Sequence, residues 1–90
     1  MIEAEILIRN RSGLHLRPAA MFVQTASRFT CEVFVSHDGT EVNGKSIMGV
    51  IMLAAEPGST IKVKADGPDE KEALAAIAEL FEKKFLEEAL

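Results

Sequence analysis

Ninety residues, 48% of them apolar, suffice for one compact domain over residues 1–90 and leave little for a second core. The formal net charge of −4, with neither Trp nor Tyr, argues against a nucleic-acid binder, which would show a basic stripe with stacking aromatics. The single cysteine, Cys31, excludes a disulfide framework and a thiolate metal cluster, and it suits a reducing cytoplasm.

Glu3 and Glu5 fall where a signal peptide would need an unbroken apolar run, and no segment approaches the ~18 apolar residues of a membrane span. The expectation is therefore a soluble, cytoplasmic chain without membrane insertion. From Ile2 to Ile8 apolar residues alternate with Glu3, Glu5 and Leu7, predicting a half-buried strand. Asn10 to Gly13 reads as a turn. From Leu16 to Arg28 the spacing becomes helical: Ala19, Phe22, Val23 and Ala26 form one stripe, and Gln24, Ser27 and Arg28 face water.

Alternation resumes from Cys31 to Ser36, and His37-Asp38-Gly39 marks a turn into a second short run, Thr40 to Gly44, so the pair predicts a hairpin. The apolar stretch from Lys45 to Ala55 is too long for an ordinary strand. It predicts a short helix with Ser46 as N-cap, stopped by Pro57-Gly58. Thr60 to Ala65 alternates Ile61, Val63 and Ala65 with Lys62 and Lys64, a fourth strand. Gly67-Pro68-Asp69-Glu70 then opens a closing helix, with Leu74, Ile77, Ala78, Phe81 and Phe85 as its buried stripe and Glu72, Glu79, Glu82, Lys83 and Lys84 as its wet face.

The order βαββαβα predicts an α+β fold, a single antiparallel sheet with its helices packed on one side. A ferredoxin-like arrangement with an added helix has the same order, and periodicity does not separate the two.

The run GLHLRPAA, Gly13 to Ala20, carries the chemistry. A helix N-terminus presents unpaired N–H groups and partial positive charge, so it binds anions and disfavours an imidazolium. His15 at that end is expected to be a neutral, nucleophilic imidazole. Arg17 offers a planar fork of donors to phosphate oxygens, and Pro18 presets the first turn without losing a hydrogen bond. Together these residues suit a phosphoryl group held on histidine. No carboxylate stands nearby as a hydrolytic base, and no metal site or cofactor is expected. Taken without its neighbours, His15 also reads as a cap or surface residue. His37, placed in a turn, reads as solvated and structural.

GLHLRPAA is similar to the active-site signature of the HPr family, the histidine-containing phosphocarriers of the bacterial phosphoenolpyruvate-dependent phosphotransferase system. VQTAS at 23–27, VNGKSIMGVIMLAA at 42–55 and the acidic helix start after Gly67-Pro68 extend the resemblance along the chain. It implies an open-faced sandwich, a four-stranded antiparallel sheet with three helices on one face. It also implies a monomeric carrier, not an enzyme, whose His15 takes a phosphoryl group from enzyme I and passes it to enzyme IIA domains for sugar uptake. Arg17 would stabilise the phosphate. KSIMGV resembles the segment phosphorylated in some members by HPr kinase/phosphorylase, which makes Ser46 a candidate regulatory phosphoserine and a catabolite-control regulator a candidate partner; the N-cap role explains a Ser there equally well.

Leu16, Ala20, Ile47, Met48 and Ile51 occupy positions that contact partners in the family, although Ile51 also suits the core. Leu16 is bulkier than the small residue usual there, and Gln24, Ser27 and Gly49 stand where some enteric members carry lysines. A nitrogen-related carrier and a regulatory binding module without phosphotransfer are the alternatives, and retention of His15 counts against the second.

Overall fold

The computed structural model describes residues 1–9 and 13–85. Residues 10–12 of the turn expected at Asn10 to Gly13, and the side chain of Lys84, lie outside the described residues. The elements are β1 (Ile2–Leu7), α1 (Leu16–Ser27), β2 (Glu32–His37), β3 (Thr40–Asn43), α2 (Ile47–Met52), β4 (Thr60–Asp66) and α3 (Glu70–Glu79), the last continuing into a π-helical turn over Leu80–Lys84.

Period-two alternation in the strands sends apolar residues to one face of the sheet and charged residues to the other. The sheet order is β1-β4-β2-β3, antiparallel at every pairing. This resolves the topology that periodicity left open: β1 lies at an edge beside β4, and three helices accompany the four-stranded sheet. In register, Ala4 faces Val63 and Ile6 faces Ile61 across one pair, while Val33 faces Ala65 and Val35 faces Val63 across the next. These residues share one face, where Val33, Val35, Ile61, Val63 and Ala65 are buried together with Ala19, Phe22 and Ala26 of α1, Val50 of α2, and Ala73 and Ile77 of α3.

The opposite face is mainly charged, with Leu7 and Phe34 as its large apolar residues. Glu5 stands opposite Lys62 and Glu3 opposite Lys64, so unlike charges meet across strands, and Lys64 Nζ lies 2.7 Å from Glu41 Oε1. The β2–β3 hairpin closes through Asp38 and Gly39, both at positive φ (55° and 85°), the two-residue turn that matches strand twist.

Several boundaries differ from the sequence expectation. β2 starts at Glu32 and runs through His37, so His37 is the last strand residue, half-buried, and its Nδ1 lies 3.2 Å from the Leu53 carbonyl; it is not a solvated turn residue. α2 stops at Met52 although the apolar run continues to Ala55, because Ala54 adopts a left-handed conformation (φ 53°) and its N–H returns to the Ile51 carbonyl. Pro68 precedes α3 instead of entering its first turn, since Asp69 is the N-cap.

In the closing helix Ala73 and Leu80 join Ile77, Phe81 and Phe85 in the core, whereas Leu74 and Ala78 are only half-buried. The π turn accounts for part of this shift. Its wider spacing, with the Phe85 N–H bonded to the Leu80 carbonyl, keeps Phe81 and Phe85 on one face, their rings edge to face at 4.8 Å.

Asp69 makes no side-chain cap for its own helix. Its carboxylate instead accepts the backbone N–H groups of Thr30 (2.8 Å) and Cys31 (2.9 Å), tying the start of α3 to the entry of β2. These bonds, the one from Thr30 foremost, hold the Asp69 carboxyl below its ordinary value of 3.8, while burial, helped by Asp69, pushes the Cys31 thiol up. A carboxylate depressed in the folded state stabilises fully above its unfolded pKa, and the contribution vanishes as pH falls through the folded one. Asp69→Asn is therefore expected to lower the thermal midpoint near neutral pH, and melting curves in an acid series should show the gap from wild type closing as the pH drops below the usual carboxylate range.

Candidate functional site

The approach to α1 is set by backbone contacts to the segment that leaves α2. The Leu14 N–H donates to the Ala55 carbonyl at 3.0 Å. Gly13 sits at φ 62°, and a Cβ there would lie 2.5 Å from the same carbonyl oxygen and 3.2 Å from Glu56 Cα. Only glycine satisfies both the left-handed backbone and this clearance. Leu14 is buried, and this anchors the chain immediately before His15 emerges.

His15 is the N-cap of α1, in extended conformation (φ −79°, ψ −171°), and its carbonyl accepts the Ala19 N–H at 2.9 Å. Its side chain is exposed and makes no capping bond. The Arg17 N–H therefore lacks the usual N-cap acceptor, the Leu16 N–H before it is likewise outside the helical bonding pattern, and no acidic residue occupies that turn. Pro18, which has no N–H, is buried, and the Arg17 side chain is exposed. An exposed imidazole at a helix end with open donors, two residues before an exposed guanidinium, offers the groups that a tetrahedral anion requires.

Ser46 is the N-cap of α2, and its Oγ accepts the Gly49 N–H at 3.1 Å. Lys45 Nζ donates to the Phe29 carbonyl at 2.7 Å, which pins the start of α2 to the connection that follows α1. α1 and α2 pack against each other. Of the residues singled out for partner contact, Leu16 and Met48 are about two-thirds exposed, at 67% and 66%, and Ile47 is less so; Ala20 and Ile51 are half-buried, Ile51 against the core. Sequence reasoning missed Met52, which at 74% is the most exposed large apolar residue of the two helices. Its position four residues after Met48 was the available signal, since i and i+4 share a helix face. Among the described residues no group of three or more His, Cys, Asp or Glu side chains could hold a metal ion.

Known proteins share this architecture. The family model described as "PTS HPr component phosphorylation site" matches residues 2–83. The chain is 49% identical over 88 residues to a phosphocarrier protein HPr of Xylella fastidiosa, covering 98% of this chain and 99% of that one. It is 48% identical over 83 residues to an HPr-like protein Crh of Halalkalibacterium halodurans, covering 92% and 99%. The crystal structure of HPr-C-His from Thermoanaerobacter tengcongensis superimposes with a TM-score of 0.91 at 49% identity, covering 94% of this chain and 96% of the other.

Gly13→Ala is expected to cost about 1–3 kcal/mol, the usual penalty of a side chain in a left-handed, over-determined position, measured by denaturant unfolding. Ser46→Ala should cost about 1 kcal/mol, the usual worth of an N-cap, by the same measurement.

Proposed function

This chain belongs to the HPr family of phosphocarrier proteins of the phosphotransferase system, and we propose that His15 is the residue that carries the phosphoryl group. A phosphocarrier is not an enzyme: it is loaded by one partner and unloaded by the next. The observation supporting His15 is its position as an uncapped, exposed N-cap residue above open first-turn donors.

In the proposed cycle an imidazole nitrogen of His15, Nδ1 as in the family, attacks the phosphorus held by enzyme I. The new N–P bond forms as the bond to the donor breaks, and the electron pair returns to the donor. The N–H groups of Leu16 and Arg17 and the Arg17 guanidinium then neutralise the phosphoryl oxygens, and Pro18 keeps the first turn in shape. Transfer to an enzyme IIA domain reverses the step on a new acceptor, serving sugar uptake. Without a carboxylate in the first turn of α1 to act as base toward water, the loaded state survives until a partner supplies the acceptor.

The chain works as a cytoplasmic monomer in this proposal, and residues 1–90 act as one domain. Leu16, Ala20, Ile47, Met48 and Ile51 meet the partners, joined by Met52. Exposed methionines adapt to several differently shaped surfaces, as a carrier with more than one partner requires.

Ser46 is proposed as a second, regulatory site. A phosphate on its Oγ would bring acceptor oxygens to the Gly49 N–H that the hydroxyl now accepts from, and would place new negative charge beside Ile47 and Met48, opposing enzyme I.

Incubation with phosphoenolpyruvate and enzyme I should put one acid-labile, base-stable phosphate on the chain. His15→Ala should abolish it, and Arg17→Ala should slow loading on the order of a hundredfold, the cost of deleting one donor to the charge of the transferring group. An unlabelled wild type with a competent enzyme I rejects the carrier role for His15, and exchange restricted to a nitrogen-type enzyme I transfers the chain to that branch.

A further inference from the structure

Three consecutive residues after α2 each make a bond, and the last of them reaches the loop before His15. The Leu53 carbonyl, at the end of α2 where helix carbonyls lose their intrahelical partners, lies 3.2 Å from Nδ1 of His37. Ala54 carries a Cβ in the left-handed region (φ 53°), a conformation that side-chain-bearing residues adopt at a cost, and its N–H is bonded to Ile51. The Ala55 carbonyl accepts the Leu14 N–H and approaches Gly13 so closely that no Cβ fits.

A strained residue persists where its surroundings over-determine it. Here the determinants lie on either side of Ala54, and one of them is a side chain from the far end of β2. The carbonyl can only accept, so Nδ1 of His37 carries the proton and donates. The ring is half-buried at the rim of a cleft of about 550 Å³ lined also by Met52, Ala54 and Glu56.

We propose that His37 is a positioning residue for phosphoryl transfer: its bond to Leu53 holds the strained Ala54 turn, whose Ala55 carbonyl seats Gly13 and Leu14 and so sets where His15 stands at the head of α1. The proposal rests on His15 being the phosphoryl acceptor. Releasing the ring lets the turn relax, shifts the Ala55 carbonyl and loosens the segment that aims the imidazole. The contacts by which α2 meets a partner are left in place.

The test compares wild type, His37→Phe, Ala54→Gly and the double variant. The readouts are phosphorylation by enzyme I over a range of carrier concentrations and hydrogen exchange of the Leu14 amide. His37→Phe should lower the maximal rate roughly three- to tenfold, the kinetic equivalent of one hydrogen bond's net contribution, with KM little changed and Leu14 exchange accelerated by a similar factor. Ala54→Gly removes the strain that the bond restrains, so the double variant should recover to within about twofold of wild type. A fall in melting temperature with rate and Leu14 exchange unaltered overturns the proposal, as does a loss confined to KM or one that Ala54→Gly fails to rescue. Should His37→Phe not fold, long-range proton–nitrogen NMR of wild type decides: a neutral His37 protonated on Nε2 overturns it. If wild type takes no phosphate on His15 the carrier reading fails separately, and Leu14 exchange still reports whether His37 governs the loop.

Discussion

The close approach of Gly13 to the Ala55 carbonyl, with the Leu14 N–H bonded to the same oxygen, is the contact on which the placing of His15 depends. It joins two segments about forty residues apart, and it decides where α1 begins. An N-cap histidine is useful only if the helix starts at that residue and if nothing else fills the space above the first turn. Both conditions follow from the anchor: Leu14 is drawn into the core, the chain turns outward, and His15 is left exposed with its carbonyl already inside the helical bonding pattern.

The sheet supplies the platform beneath. Its inner face is aliphatic and its outer face is laced with opposed charges, so the helices have one surface on which to bury their stripes. Between them run Phe22, Phe81 and Phe85, packed edge to face, with the π turn of the closing helix keeping the last two in line. Asp69 and Lys45 add polar ties, each bonding backbone groups from a connection and not from a neighbouring regular element. Loops that would otherwise be the loosest parts of a small domain are thereby tied to helix starts.

The surface near α1 and α2 has the opposite character. Leu16, Met48 and Met52 are left in water, and in the proposed carrier role these flexible apolar side chains are what would meet more than one partner. The bulky Leu16 beside His15 makes that surface more apolar than the small residue usual in the family would. With Gln24, Ser27 and Gly49 uncharged, the proposed docking would rest more on apolar fit than on charge steering.

Much of this was legible in the linear chain. Two-residue alternation identified all four strands, helical spacing identified the buried face of α1 and, in the closing helix, Ile77, Phe81 and Phe85 but not Ala73 and Leu80, and Ser46 announced its own cap. The GLHLRPAA run carried the family and its expected chemistry. Less visible were features made by bonds between distant residues. Nothing in the apolar run from Lys45 to Ala55 says that α2 ends at Met52, because what ends it is a left-handed alanine whose neighbours are bonded to His37 and Leu14. The same holds for His37, a turn residue by its neighbours and a half-buried donor in the fold. Periodicity reports which face of an element meets the core, since that depends on spacing alone. Which strand lies at the edge, where a helix stops and which carbonyl seats the histidine loop depend on partners brought together only when the sheet closes, and these the tertiary structure decided.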